Sequence, residues 1–192
     1  RARGLSAEDT LVQMEEMFVA RKAMKRVTIP VHSSLDPRVF DEELKKRYGT
    51  QDIADLPYSF FAVSTNLSTN GIHVHTRGPL WQAVRASGSL PTILPPLITE
   101  SGDILVDGGV LNNIPVAIMR ELKAGPNVVV ALRTDVGARW EIEATYDDVR
   151  SPGQIARDMV FRRKPERPFP SLVEIMSRSM VVSSEGSVDL SL

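Results

Sequence analysis

The chain has 192 residues, of which 42% are hydrophobic and 24% are charged, and its formal net charge is −1. These values are typical of a single globular domain with a substantial core, and they argue against a wholly disordered chain. The near-neutral charge provides no bulk attraction to nucleic acid, so no nucleic-acid partner is expected. Cysteine is absent, which excludes disulfides, thiolate metal sites and a cysteine nucleophile.

Capping signals and apolar residues at helical spacing predict five helices. They lie after a Ser6 cap, from Asp36-Pro37 to Gly49, after Gly78-Pro79, over 115–123 and after a Ser171 cap. Runs rich in β-branched and aromatic residues predict strands. These runs are 58–67, 72–76, 103–106 and 127–132, with a further short β-rich run at 26–30.

The order of these elements predicts the fold class. The run 127–132 is continuously apolar, as a strand buried on both faces should be, and it follows the helix over 115–123. Strand, helix and strand at this spacing indicate a βαβ unit and an α/β fold. Residues 136–170 are polar and contain prolines, so we expect an irregular excursion there. Its basic run, Arg162-Arg163-Lys164, would allow contact with anionic lipid, although a short charge run is usually a solvated loop.

The most informative segment is 104–116, which reads Ile-Leu-Val-Asp-Gly-Gly-Val-Leu-Asn-Asn-Ile-Pro-Val. A strand delivers Asp107 to its C-terminal end, where ligands bind in open α/β sheets. Gly108 and Gly109 permit a sharp turn and leave space for a neighbouring group. Asp-Gly-Gly is also a common turn, in which Asp107 would only accept hydrogen bonds from its own loop. On the tripeptide alone, the turn is the favoured interpretation.

The whole segment resembles the patatin-like phospholipase family, in which a strand ends in Asp-Gly-Gly or Asp-Gly-Ala and continues into Asn-Asn-hydrophobic-Pro. The matching residues here are Asp107, Gly108, Gly109, Asn112 and Asn113. Four other blocks resemble the same family in the same order: a central strand at 60–67, a helix at 78–87, a proline-rich loop at 89–96 and, at 170–178, a late helix of the neuropathy-target-esterase branch. Asn66 stands where Asp is more usual. The resemblance spans about residues 3–180 and is to the C-terminal part of the patatin domain.

This resemblance implies a three-layer α/β/α fold with a mostly parallel central sheet, N-terminally incomplete in this chain. It implies a serine esterase that hydrolyses acyl esters of lipids through a Ser–Asp dyad, with Asp107 assisting the serine directly. The serine lies in a Gly-x-Ser-x-Gly turn, and a glycine-rich loop supplies the oxyanion hole. No cofactor is implied. The implied partners are a lipid or lysophospholipid, a peripheral membrane surface and the upstream segment that carries the nucleophile, in a cytoplasmic or peripherally membrane-associated protein.

The chemistry of the residues is consistent with this role for Asp107. A serine hydroxyl is a weak nucleophile until a positioned base accepts its proton, and such a base contributes about 10²–10⁴-fold. Burial beside an apolar acyl-chain pocket would raise the pKa of an aspartate above its ordinary value of about 3.9 and make it a better base. Several residues could line that pocket or equally belong to the core. They are Leu90, Ile93, Leu94, Leu97 and Val110.

The sequence departs from the family pattern in one respect, because it contains no Gly-x-Ser-x-Gly. Ser6 follows Gly4-Leu5 but lacks the last glycine and suits a helix cap. We therefore expect the chain to start just after the family's serine, and these residues alone to be inactive. One alternative is a non-catalytic lipid-binding or regulatory module with the patatin fold. Another is a structural scaffold, in which Asp107 engages only its own loop and faces no cavity.

The remaining titratable residues have simpler interpretations. His73 and His75 share one face of a predicted strand, which permits metal binding, but a surface position is favoured because no third ligand is evident. The predicted site therefore contains no metal. Arg85 and Arg120 are predicted to lie on helix surfaces.

Overall fold

The computed structural model describes residues 2–20, 24, 27–28, 33–123, 125–128, 130, 140–161 and 169–186. The helices are α1 (Ala7–Glu15), α2 (Arg38–Tyr48), α3 (Leu80–Ser87), α4 (Val116–Leu122), α5 (Pro152–Val160) and α6 (Leu172–Gly186). The strands are β1 (Ala62–Asn66), β2 (Gly71–His75), β3 (Leu97–Ile98) and β4 (Ile104–Asp107). A π-helical segment, Glu16–Ala20, continues α1, and short 3₁₀ turns cover Ile53–Asp55, Gly108–Val110 and Tyr146–Asp148.

Local capping residues set several helix ends where the sequence predicts them. Ser6 Oγ accepts a hydrogen bond from the N–H of Asp9 at 3.0 Å and donates to its carboxylate at 2.7 Å. Ser171 caps α6 in the same way, with Glu174 as its acidic partner. α2 ends at Gly49, whose φ of 57° lies in the left-handed region. These predicted ends are confirmed.

The four strands form one sheet in the order β2-β1-β4-β3, and every pair is antiparallel. The turn between β1 and β2 is held by the Asn66 carboxamide, which accepts from the N–H groups of Ser68 and Thr69 at 2.9 and 3.2 Å. A turn over 99–102 joins β3 to β4. Such short connections impose antiparallel pairing. The α/β class is confirmed, whereas the described strands contain none of the parallel pairing that was expected.

The buried strand predicted over 127–132 is wrong for the residues described there. Val128 is 90% exposed and Val130 is 82% exposed, and neither they nor Asn127 belongs to a strand. An apolar run marks a segment that can be buried but does not identify the neighbour that would bury it. The predicted βαβ unit is therefore not formed by the described residues, and positions 129, 131 and 132 lie outside them.

The irregular excursion expected over 136–170 contains the helix α5. Ser151 caps this helix, since its N–H donates to Gln154 Oε1 at 2.8 Å and its Oγ accepts from the N–H of Gln154 at 3.4 Å. Pro152 occupies the first turn, where a missing N–H costs no hydrogen bond. Proline here marks a helix start rather than a loop. Residues 162–168, which include the basic run, lie outside the described part of the chain.

The helices α2 and α3 are stacked on one face of the sheet. α3 packs on β1 and β4, and α2 packs on α3. Ala83 and Ala86 are fully buried on α3, and these small side chains let the helix lie close to the strands. The main core cluster comprises Met17, Phe40, Leu44 and Leu94. No helix within the described ranges is both long enough and apolar enough to cross a bilayer.

Candidate active site

Asp107 is the last residue of β4, and its backbone is held from two sides. Its N–H donates to the carbonyl oxygen of Ser89 at 3.0 Å, in the loop after α3. In the sheet it lies opposite Ser64 of β1. Its side chain is half-buried, and Oδ1 accepts the N–H of Gly109 at 2.6 Å. The strand therefore delivers a partly accessible carboxylate to its C-terminal end.

The surroundings of Asp107 make its ionised form less favourable than that of an aspartate in water. Burial raises the pKa of the Asp107 carboxyl above its ordinary value, and the hydrogen bond from Gly109 opposes this effect only in part. A raised pKa makes the ionised carboxylate a stronger proton acceptor than a fully hydrated aspartate.

The two glycines after Asp107 are required by close contacts rather than by unusual dihedral angles, since neither has a positive φ. A Cβ on Gly108 would lie 2.5 Å from the carbonyl oxygen of Val63 in β1. A Cβ on Gly109 would lie 2.9 Å from Oδ1 of Asp107. The first glycine lets the loop pass against β1, and the second lets the chain fold back onto the carboxylate.

The asparagines of the motif close the same loop. The N–H of Asn112 donates to the carbonyl oxygen of Gly108 at 2.8 Å. The side chain of Asn113 lies beside Gly109, because a Cβ there would be 3.3 Å from Asn113 Oδ1. α6 also packs against the turn Gly108–Val110. The acidic loop, residues 107–113, is therefore held by hydrogen bonds within its own motif and is contacted by the last helix.

The candidate acyl-pocket residues lie in three different environments. Leu94 is fully buried in the main core cluster, and Ile93 packs against that cluster, so both have the core role that was the alternative for them. Leu90 is 39% exposed and Val110 is half-buried beside the Asp107 loop. Leu97 lines a small cleft with the β2 histidines. Leu90 and Val110 remain predicted pocket residues.

Two histidines of β2 share a sheet face with Ser64 and Asp107, because opposite residues of antiparallel strands project to the same side. His75 Nε2 lies 2.8 Å from Ser64 Oγ, and the rings of His73 and His75 are 4.5 Å apart between centroids. His75 is half-buried rather than on the surface as expected. Among the residues that the structure describes, no three His, Asp or Glu side chains form a metal-binding group.

We expect His75 to remain neutral until about pH 4, because burial, with a smaller contribution from His73, lowers its pKa to about 4. An unfolded histidine titrates near about pH 6.5, so the unfolded state binds more protons between these values. The free energy of unfolding should therefore decrease as the pH falls through this window. Histidine NMR titration and thermal unfolding measure both effects. His75→Gln should reduce the acid-induced loss of stability, and an ordinary midpoint for His75 would contradict the assignment.

Arg85 departs most from its sequence-based interpretation, because it is 2% exposed rather than on the helix surface. Its Nε donates to Asp41 Oδ1 at 2.5 Å, and its Nη2 donates to the carbonyl oxygen of Pro95 at 3.2 Å. Its Nη1 donates to Ser89 Oγ. The surface prediction is wrong because α2 and the loop after α3 cover this position. The sequence carries no local signal for this burial, because the partner Asp41 lies 44 residues away. Arg120 is exposed, as predicted.

The fold and site define an α/β domain in which a half-buried aspartate ends a strand inside a tight glycine loop. The family model for patatin-like phospholipases matches residues 4–120. The chain therefore belongs to the patatin-like phospholipase family.

Curated relatives cover most of the chain. It is 36% identical over 139 residues to rat patatin-like phospholipase domain-containing protein 7, covering 71% of this chain and 10% of that protein. It is 33% identical over 159 residues to human patatin-like phospholipase domain-containing protein 6, covering 82% of this chain and 11% of that protein. It is 36% identical over 167 residues to Lysophospholipase NTE1 of Yarrowia lipolytica, covering 85% of this chain and 11% of that protein. The chain thus spans about a tenth of the length of these relatives.

Proposed function

We propose that this chain is part of a serine esterase that hydrolyses acyl esters of lipids, as a phospholipase or lysophospholipase. The observation that carries the proposal is the half-buried Asp107 carboxylate at the end of β4, whose pKa is raised by burial. Membership of the family supports a lipid substrate, since the relatives are named for phospholipase domains or as a lysophospholipase.

In the proposed reaction Asp107 is the general base. The serine oxygen attacks the acyl carbonyl carbon while the Asp107 carboxylate accepts the hydroxyl proton. The ester C–O bond then breaks, and the proton passes from Asp107 to the departing alcohol oxygen. Water attacks the acyl-serine, again giving its proton to Asp107, and the serine leaves with that proton. Each cycle therefore returns the ionised carboxylate and the free serine.

We propose that the nucleophilic serine is supplied by residues outside these 192. The sequence contains no Gly-x-Ser-x-Gly. Ser6, the nearest match, uses its Oγ to cap α1. Ser64 lies opposite Asp107 but is fully buried and hydrogen-bonded to His75. The 192 residues alone are accordingly expected to lack esterase activity.

The acyl chain is proposed to lie beside the Asp107 loop. Leu90 is partly exposed, and it belongs to the same loop as Ser89, whose carbonyl oxygen binds the Asp107 N–H. Val110 is the last residue of the turn that follows Asp107. Apolar side chains on the two segments next to Asp107 would exclude water from the ester and hold an acyl chain. A lipid or lysophospholipid would reach them from a membrane surface.

One observation favours a second candidate, a non-catalytic lipid-binding or regulatory module. The hydrogen bond from Gly109 to the Asp107 carboxylate comes from within the acidic loop, as it would for an aspartate with only a structural role. The two candidates differ in whether a serine elsewhere in the protein is activated.

Covalent labelling with a fluorophosphonate separates the two candidates. In the full-length protein that contains this chain, we expect one serine of a Gly-x-Ser-x-Gly segment outside the 192 residues to be labelled. Asp107→Asn should slow labelling by about 10²-fold or more, because the proton acceptor is lost. Asp103→Asn, just before β4, is the matched control and should label at the wild-type rate. If peptide mass spectrometry finds no labelled serine, the esterase proposal fails and the non-catalytic module is favoured.

A further inference from the structure

We propose that Arg85 is a positioning residue for Asp107, which it holds in place through Ser89. Arg85 would touch neither substrate nor the reacting atoms. Arg85 would instead determine the position of the Asp107 backbone. This inference rests on the proposed function, because it assumes that the placement of the Asp107 carboxylate limits the reaction.

The guanidinium of Arg85 joins α3 to two other segments. It is ion-paired with Asp41 of α2, and it donates to the side chain of Ser89 and to the carbonyl oxygen of Pro95. Its side chain is only 3% exposed, whereas that of Asp41 is 29% exposed. A buried cation is stable only when its donors are paired, and a guanidinium presents them in a rigid planar fork. Both ends of the loop after α3, at Ser89 and at Pro95, are therefore hydrogen-bonded to Arg85 of the helix.

Ser89 connects this cluster to Asp107. It is fully buried, and its Oγ both accepts from Arg85 and donates to the carbonyl oxygen of Arg85 at 2.7 Å. Its own carbonyl oxygen accepts the N–H of Asp107 at 3.0 Å. The side chain of Ser89 is thus bound by Arg85, and the backbone carbonyl oxygen of Ser89 binds the N–H of Asp107.

Strand pairing holds Asp107 on the β1 side of β4 but not on the β3 side. β3 pairs with β4 only at Leu97–Leu105 and Ile98–Ile104, so its pairing ends two residues before Asp107. Beyond the end of β3, the carbonyl oxygen of Ser89 accepts the N–H of Asp107 in place of a strand partner. The next residue, Gly108, already turns away from the strand. The position of the carboxylate therefore depends on the loop that Arg85 holds.

A loss of this support should appear in turnover rather than in substrate affinity. A displacement of about 1 Å in a catalytic group can cost about 10²-fold in rate. In the full-length protein, Arg85→Met should lower kcat by about 10- to 100-fold and leave KM within about twofold. Amide hydrogen exchange in peptides covering 104–110 should become about tenfold faster. The exchange measurement needs no substrate.

Arg47→Met is the matched control. Arg47 lies on α2 with its side chain 12% exposed, and it is ion-paired with Glu16 at 3.2 Å and Glu43 at 3.8 Å. Its loss should lower the melting temperature while kcat and the exchange of 104–110 stay at wild-type values. Arg85→Lys provides a rescue test, since lysine can restore the charge beside Asp41 but not all three contacts. We expect Arg85→Lys to recover stability without recovering kcat.

If Arg85→Met does not fold, Ser89→Ala tests the same link by removing only the side-chain contact. Wild-type kcat and wild-type exchange in both Ser89→Ala and Arg85→Lys would overturn the proposal. Asp107→Asn distinguishes a failure of the proposed function from a failure of the positioning role. Full activity in Asp107→Asn would refute the proposed function, whereas an inactive Asp107→Asn beside a fully active Arg85→Met would refute only the positioning role.

Discussion

Asp107→Asn is expected to lower the esterase turnover of the full-length protein by about 10²–10⁴-fold. Asparagine has nearly the same shape and can still accept the N–H of Gly109, a contact that measures 2.6 Å in the native loop. It cannot accept a proton from a serine hydroxyl, so the loss should fall on kcat. Turnover of a short-chain aryl ester and of a lysophospholipid measures the effect. Asp103→Asn removes the same charge just before the same strand and should stay within about twofold of wild type.

The pH dependence gives this prediction a second signature. Because burial raises the pKa of Asp107, the rate of the wild-type enzyme should fall, as the pH decreases, at a higher pH than an ordinary aspartate would cause. The same shift means that the folded state binds the proton more tightly than the unfolded state. The free energy of unfolding then decreases as the pH rises from the unfolded pKa through the folded pKa.

Asp107→Asn should accordingly melt at a higher temperature than wild type at neutral pH while losing activity. Opposite effects on activity and stability would separate a catalytic loss from unfolding. Unchanged turnover in Asp107→Asn would remove Asp107 from the reaction.

Gly108→Ala is expected to destabilise the fold by about 3 kcal/mol, near the upper end for overpacking. The added Cβ would lie 2.5 Å from the carbonyl oxygen of Val63 and 2.8 Å from its Cγ2. The first of these neighbours is backbone in the middle of the sheet, so it cannot move aside without breaking the pairing of β1. Denaturant unfolding of the full-length protein, compared with wild type, measures the change.

Gly153→Ala is the matched control, because a Cβ there meets nothing within 4 Å and the residue lies in α5. The same chemical change should be neutral there or stabilise the helix by up to about 1 kcal/mol. Wild-type stability in Gly108→Ala would mean that the acidic loop does not press against β1. Gly109→Ala should affect stability less, since its close neighbour is the Asp107 carboxylate rather than backbone.

Features that depend on a few neighbouring residues could be predicted from the sequence. Ser6 and Ser171 cap the helices that their spacing indicated, and Gly49 ends α2 with a left-handed φ. Residues 152–160 form a helix within a stretch that the sequence predicts to be irregular, and Ser151 and Gln154 form its capping box. The capping box is a local signal for the start of a helix, whereas the surrounding charges and prolines favour irregular structure.

That Asp107 ends a strand and is followed by a tight glycine loop could be predicted from residues 104–109, because strand propensity and turn chemistry depend on neighbouring residue types. The burial of Arg85 against Asp41, 44 residues away, and the half-buried position of His75 beside Ser64 follow from the tertiary structure, which the sequence pattern did not indicate. The exposure of Val128 and Val130 was likewise not indicated by their apolar pattern. Burial, and the pKa shifts that follow from it, depend on which distant segment covers a residue. A pattern of apolar or charged residues shows that a segment is able to be buried or exposed. The segment that packs on it determines which of the two occurs.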